Sequence, residues 1–121
     1  MKSTTENLYD THLEILRKNI ERDYNEWSAN LSHARDLKAY VTTGRKYDRI
    51  MKDNSVWGFV AKKDGVHKGI SYRMGDVFKA AGLRQPAKHV RGSIFDNSTD
   101  WFSWTGPEYL FVKKARLADR K

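Results

Sequence analysis

Residues 56–62 read Val-Trp-Gly-Phe-Val-Ala-Lys, and this stretch decides the fold. Its length and its content of β-branched and aromatic residues predict a strand. Val56, Gly58 and Val60 alternate with Trp57, Phe59 and Ala61, so both faces of the strand are largely apolar. A strand of this kind needs a covering layer on each face. We therefore predict a central strand that a helix covers on one side.

The chain on either side of this stretch predicts a small sheet. Residues 46–51 predict a strand, which Asp53-Asn54 joins to the central one because this pair suits a tight turn. Residues 77–81 predict a short strand or a helical turn, and residues 94–95 and 109–112 predict the last strands. Residues 66–74 are ambiguous, residues 82–92 predict a loop punctuated by Pro86, and residues 104–107 predict a turn.

The N-terminal segment predicts a helix. Its apolar residues recur at spacings of three and four, which places them on one stripe: Leu13, Leu16, Ile20, Tyr24, Trp27, Leu31, Ala34, Leu37 and Val41. Gly44 suits the left-handed position that follows a last helical turn. The segment predicts one long helix or two, with the weakest point at Ser28-Ala29-Asn30. So long a stripe covers a sheet or pairs with another helix, for example from a second copy.

These patterns together predict the architecture. We expect an α+β fold in which a long N-terminal helix packs on a small antiparallel sheet of three to five strands. A length of 121 residues fits a single domain over residues 1–121. Within it we expect a helical segment at residues 1–43, a β-rich core at 44–112 and a basic tail at 113–121.

Composition limits the classes of function. The chain has no cysteine, so a disulfide framework, a thiolate zinc site and a cysteine nucleophile are excluded. No run of about 18 apolar residues occurs, and the N-terminus lacks the apolar stretch of a secretory signal. We expect a cytoplasmic protein with no membrane partner.

The sequence matches no motif for catalysis or for cofactor binding. The four histidines are scattered, and the chain has no phosphate-binding loop and no dinucleotide fingerprint. We therefore predict a non-enzymatic protein with no cofactor and no metal site. A nuclease is the enzymatic alternative, and it would need the fold to gather separated carboxylates such as Asp76, Asp96, Asp100 and Glu108.

Positive charge is unevenly distributed along the chain. The net charge is +8, yet residues 1–40 carry six lysines and arginines against seven acids, a net of −1. Residues 41–121 carry seventeen against eight, a net of +9. Such an electrostatic field favours a polyanionic partner, although solubility alone is the simpler interpretation.

The most suggestive segment runs from Val77 to Phe95, which contains four lysines and arginines and no acid. Cations presented from a loop bounded by glycine and proline can approach phosphates closely. Nearby tryptophans offer stacking surfaces for unpaired bases, or alternatively close a small core. The predicted nucleic-acid-binding residues are Lys79, Arg84, Lys88, His89, Arg91, Trp101 and Trp104.

Several motifs within residues 45–110 resemble those of a set of known sequences. They are Lys46-Tyr47-x-x-Ile50, Trp57-Gly58-Phe59, Gly75-Asp76-Val77-x-Lys79-Ala80-Ala81, Pro86-Ala87-Lys88-His89-x-Arg91-Gly92-x-Ile94-Phe95 and Trp104-Thr105-Gly106-Pro107-x-Tyr109-Leu110. In these the chain resembles small proteins of tailed bacteriophages, including marine ones. The resemblance implies a phage or phage-like origin, with location in the host cytoplasm or the virion. It implies accessory roles such as DNA handling, host takeover or a part in the virion.

Two functions from different classes follow as expectations. The first is a nucleic-acid-associated accessory protein, with DNA or RNA as its partner. The second is a structural or protein-interaction module, a virion component or a binder of host proteins, that assembles through the N-terminal helix.

Overall fold

A computed structural model describes residues 4–29, 37–96 and 101–107. The helix α1 spans Thr4–Ser28, and the strands that follow it are β1 Ala39–Thr43, β2 Tyr47–Lys52, β3 Ser55–Ala61, β4 Gly65–His67, β5 Ile70–Tyr72, β6 Asp76–Ala80, β7 Pro86–Ser93, β8 Phe102–Ser103 and β9 Gly106–Pro107. One long helix and a five-stranded antiparallel sheet confirm the predicted α+β fold.

The apolar stripe of α1 packs on the sheet. Tyr9, Leu13, Leu16 and Ile20 are buried, and their spacing of four, three and four keeps them on one side of the helix. Polar groups fix the same contact, because the backbone N–H of Ala39 donates to Glu21 Oε2 at 2.8 Å. The stripe therefore covers the sheet, which was one of the two expectations, the other being that it pairs with another helix.

The helix ends earlier than predicted. Helix α1 stops at Ser28, at the weak point seen in the sequence, while Leu31 and Ala34 of the predicted stripe lie outside the described residues. Residues 39–43 form β1, so the end of the predicted helical segment at 1–43 and the helix-ending role of Gly44 are wrong. Leu37 is buried ahead of β1, and Val41 lies within that strand. A spacing of four fits the two-residue repeat of a strand as well as the 3.6-residue repeat of a helix, so the pattern did not separate them.

Strand β3 is the centre of the sheet, whose order is β1-β2-β3-β6-β7. The pairing of β2 with β3 shifts between Ile50 and Met51, because Ile50 is opposite Gly58 while Met51 is opposite Val56. This bulge leaves Trp57 as the extra residue, and its ring joins the core beneath α1. The prediction of a central strand covered on one side by the helix is confirmed.

The two faces of the sheet carry separate apolar clusters. On the helix face, Ile50, Val60 and Val77 pack with α1 and with residues 101–102. On the opposite face, Phe59 and Phe78 pack with Tyr72 of the β4–β5 hairpin. From Phe59 to Ala61, successive residues of β3 alternate between the clusters, since strand side chains point to opposite faces in turn.

Two other expectations need correction. A loop is predicted for residues 82–92, but most of that stretch forms β7, the edge strand that begins at Pro86. Proline is tolerated there because an edge position does not need its missing N–H. Residues 94–95, an expected strand, lie in the turn after β7. The expected strand at 109–112 and the basic tail at 113–121 lie outside the described residues.

Candidate nucleic-acid interface

The predicted contact residues do not form one site. Lys79, Lys88 and His89 are exposed on the last two strands of the sheet, and Arg84 is exposed in the loop between those strands. Of this set, Arg84 lines a basic groove on the face opposite α1, and the other three do not.

Arg91 and Trp101 lie in the interior, which corrects the expectation that they contact phosphates and bases. Arg91 has 4% of its surface exposed and Trp101 has 3%. Arg91 lies in β7, and the strand places its side chain in the interior, whereas a loop would have left it in solvent. Trp101 packs its ring against Phe102 at 4.7 Å between centroids and against Gly92, where a β-carbon would overlap the indole.

Trp104 belongs to an aromatic cluster at the end of α1. Its ring centroid is 4.9 Å from that of Trp27 and 5.0 Å from that of Tyr24. Lys52 Nζ lies 5.1 Å from the ring centroid and donates to the carbonyls of Trp104 and Thr105, both at 3.2 Å. The Trp104 ring packs against the helix-face cluster, so the fold places it on the other side of the sheet from the groove of Arg84.

The basic groove on the opposite face, which we call the Arg84 groove, has a volume of about 420 Å³. Its floor is formed by Tyr47 of β2 and Phe59 of β3. The described residues that line it include four cations and no acid; they are Gly44, Arg45, Lys46, Tyr47, Arg49, Phe59 and Arg84.

Arg49 connects the parts of the Arg84 groove. Its Nε donates to Thr42 Oγ1 at 3.2 Å, and its Nη1 donates to the carbonyl of Leu83 at 2.9 Å. The second bond ties the β6–β7 loop to β2. The backbone N–H of Ala81 donates to the carbonyl of Gln85 at 2.9 Å, which closes that loop into a tight turn and sets Arg84 at the edge of the groove.

A second groove, which we call the Lys63 groove, adjoins the first and has a volume of about 380 Å³. Arg45 and Lys46 line both grooves, so their turn forms the ridge between them. The other lining residues are Lys62, Lys63, Asp64, Gly65, Val66 and Tyr72. The carboxylate of Asp64 accepts a hydrogen bond from the backbone N–H of Met74 at 2.8 Å, which offsets part of its charge.

The ridge is held in place by backbone contacts. Gly44 N donates to the carbonyl of Tyr47 at 2.9 Å, an approach so close that a β-carbon at Gly44 would lie 2.7 Å from that oxygen. Lys62 N donates to the carbonyl of Lys46 at 3.1 Å, and Lys62 Nζ donates to the carbonyl of Gly44 at 3.1 Å. These bonds bring the two dibasic pairs, 45–46 and 62–63, to the same corner of the sheet.

Two tyrosines join the floors of the grooves. Tyr47 lines the Arg84 groove and is half-buried, while Tyr72 lines the Lys63 groove and is buried. Their ring centroids are 5.9 Å apart. Burial, followed by the hydrogen bond with Tyr72, raises the pKa of Tyr47 above its ordinary value, so its ring stays neutral at physiological pH.

A third hollow of about 330 Å³ marks where the basic surface ends. Lys62 and Lys63 line it on one side, but Glu6, Asp10 and Asp48 line it as well. An acidic lining of this kind repels phosphate, so the cationic path is limited to the two grooves on the opposite face.

The sequence contained a signal for the residues that were missed. Arg45-Lys46 precedes β2 and Lys62-Lys63 follows β3, and the hairpin register sets Tyr47 opposite Ala61. Two dibasic pairs at the paired ends of a predicted hairpin must therefore lie together. The acid-free run of cations at 77–95 is the stronger local signal, and it lies elsewhere in the chain.

Two further properties hold for the described ranges. Residues 4–29, 37–96 and 101–107 contain no group of three histidine or acidic side chains placed to hold a metal ion. No helix in those ranges is both long enough and apolar enough to cross a membrane.

The fold and the grooves together define a small α+β protein with a basic, aromatic-floored surface on the sheet face opposite its helix. Residues 2–112 match the model of a family of unknown function, DUF7717, and the chain belongs to that family. Comparisons with curated proteins and with solved structures gave no match.

Proposed function

We propose that this protein binds nucleic acid through the Arg84 groove and catalyses no reaction. The observation that carries the proposal is the convergence of Arg45, Lys46, Arg49 and Arg84 around one groove whose described lining has no acid. Clustered cations neutralise phosphates and release counterions, which supplies most of the affinity in such interfaces. A partly exposed tyrosine on the floor adds a surface for bases or sugars.

The resemblance to phage proteins fits this proposal. An accessory protein that handles phage DNA or RNA in the host cytoplasm needs a phosphate-binding surface and no catalytic centre. The net charge of +8 brings the protein to polyanions at long range, and the groove then fixes where they bind.

A pair of charge-matched variants tests the proposal. Arg84→Gln removes a cation from the groove, and Lys88→Gln removes one from an exposed position outside it, so the net charge falls equally. We expect Arg84→Gln to weaken binding of a labelled oligonucleotide roughly tenfold at about 50 mM salt, and Lys88→Gln to weaken it by less than about threefold. Fluorescence anisotropy measures both affinities.

Two results would contradict this proposal. The first is an absence of binding to DNA and RNA at about 50 mM salt, and the second is an equal loss in the two variants, which would indicate charge without a site. A nuclease is tested in the same preparation with added magnesium or manganese. We expect the oligonucleotides to remain intact, and metal-dependent cleavage would overturn the non-enzymatic part.

A second candidate is an interaction module that assembles through α1. Leu8 and Ile15 are 50% and 47% exposed although apolar, and their spacing of seven places them on one side of the helix. The test is the molar mass from light scattering, compared with that of Ile15→Glu. A concentration-dependent dimer that Ile15→Glu dissociates supports the module, and a monomer at all concentrations contradicts it. Leu16 is unsuitable for this test because it is 4% exposed and part of the core.

A further inference from the structure

The two grooves on the sheet face opposite α1 share two lining residues. Arg45 and Lys46 form the ridge that lines both, so a chain leaving one groove meets the same cations on entering the other. Arg84 lines the first groove, and Lys63 lines the second together with the carboxylate of Asp64. The two grooves and the ridge between them therefore form a mainly cationic surface at this corner of the sheet, which we call the channel.

The floor of this channel is aromatic. Tyr47 lines one groove and Tyr72 lines the other, and Tyr47 is half-buried. Its ring is fixed from several sides, with centroids 6.0 Å from Phe59 and 5.9 Å from Phe78. A ring held in this way loses little conformational entropy when a base stacks on it.

We propose that the grooves take a single strand of nucleic acid, with phosphates on the Arg45–Lys46 ridge and a base against Tyr47. This inference rests on the proposed function and adds the class of polymer. Volumes of about 420 and 380 Å³ lie in the range of sites for one small organic group each, which suits one nucleotide per groove. A duplex keeps its base faces stacked inside the helix, so it cannot use an aromatic floor.

The strand preference is tested with oligonucleotides of one sequence. A labelled strand of about 12 nucleotides, its complement and their duplex are titrated with the full chain at about 50 mM salt, with DNA and RNA versions of each. We expect the single strands to bind at least about tenfold more tightly than the duplex, because base stacking adds to the phosphate contacts. Equal or tighter binding of the duplex would overturn the inference.

Variants of Tyr47 test the stacking surface. Tyr47→Phe keeps the ring, so we expect affinity for single strands to change by less than about twofold. Tyr47→Leu removes the ring, and we expect a loss of about tenfold for single strands with duplex affinity unchanged. A Tyr47→Leu protein that is folded by circular dichroism and binds single strands normally contradicts the stacking contact.

A ridge variant covers the case in which Tyr47→Leu does not fold. Arg45 is exposed in the turn between β1 and β2, and we expect Arg45→Gln to weaken the binding of single strands roughly tenfold. Lys79 is also exposed but lies outside the grooves, and we expect Lys79→Gln to change this affinity by less than about threefold. Equal effects of the two contradict the path across the ridge. If Arg84→Gln weakens the binding of single strands and of the duplex equally, the proposed function stands and the inference about single strands fails. If no polynucleotide binds, both fail.

Discussion

Asp48 is a charged side chain in the interior, beneath the first half of α1. It is buried in β2, and Tyr9 Oη donates to its Oδ2 at 2.7 Å. Its Oδ1 has no hydrogen-bond partner within the described residues. A buried acceptor left without a donor costs free energy, so this carboxylate depends heavily on the single bond from Tyr9.

The Tyr9–Asp48 pair leads to a prediction for stability. We expect Tyr9→Phe to lower the free energy of unfolding by about 2–3 kcal/mol, because it leaves both carboxylate oxygens unpaired. Removing both polar groups in Tyr9→Phe/Asp48→Val should recover most of that loss, since an apolar pair needs no donor. Urea unfolding measures both. A double variant less stable than Tyr9→Phe would show that Asp48 has another stabilising role.

The same pair predicts sensitivity to alkaline pH. Burial, followed by the hydrogen bond to Asp48 and the charge of Asp48, raises the pKa of Tyr9 well above its ordinary value. The Tyr9 hydroxyl ionises near pH ~10 in the unfolded chain, whereas it stays neutral in the folded chain. The stability that this difference contributes is therefore fully present below pH ~10 and is lost as pH rises further. We expect the free energy of unfolding to fall by up to about 1.4 kcal/mol per pH unit there. The slope should be smaller in Tyr9→Phe than in Tyr40→Phe, the control at an exposed tyrosine.

At the scale of elements, β7 packs closely against the segment at 101–107 because Gly92 has no side chain. The indole of Trp101 occupies the space that a β-carbon there would need. Trp101 is buried and rigid, so it cannot move aside as a flexible surface side chain would.

Two alanine substitutions test this fit. We expect Gly92→Ala to lower the free energy of unfolding by about 1–3 kcal/mol through overpacking. Gly82→Ala serves as the control, because a β-carbon at Gly82 would have nothing within 4 Å and alanine restricts the unfolded chain. We expect it to be neutral or stabilising by up to about 1 kcal/mol. Similar losses in both would contradict steric packing at Gly92.

The elements differ in how far the sequence could predict them. The central strand and the first part of α1 follow from strong local periodicity, so the sequence predicts them correctly. The pattern places Val41 in the helix because its spacing from Leu37 fits both repeats. The edge strand β7 has a mixed pattern with Pro86 and Gly92, and its pairing with β6 is a tertiary effect that local propensity does not contain.

The candidate site was predictable only in part for the same reason. Arg84 stands out because its segment has cations and no acid, a property of composition. Arg45 and Lys63 come together through the pairing of β2 with β3, so only the predicted hairpin, and not the local charge pattern, indicates that they are neighbours. Arg91 could not be separated from its exposed neighbours until the strand was known to place it inward.

Over the whole molecule, charge follows the two sides of the sheet. Helix α1, on one side, carries six acids against three lysines and arginines, whereas the described lining of the Arg84 groove, on the other side, has four cations and no acid. An approaching polyanion is therefore turned toward the groove side before contact. The rate of association should carry much of the salt dependence of affinity.

The hydrogen bond from the backbone N–H of Trp104 to Asp23 Oδ2, at 2.8 Å, joins residues 81 positions apart. Closing so long a loop has a large entropy cost. We therefore expect this contact to form late in folding, after the sheet between its ends has formed. We expect Asp23→Ala to raise the unfolding rate constant about tenfold and to change the folding rate constant by less than about twofold. Stopped-flow kinetics in urea measure both, with the exposed Glu26→Ala as control, and slower folding would place the contact in the transition state. We therefore expect this hydrogen bond to affect how long the chain stays folded more than how fast it folds.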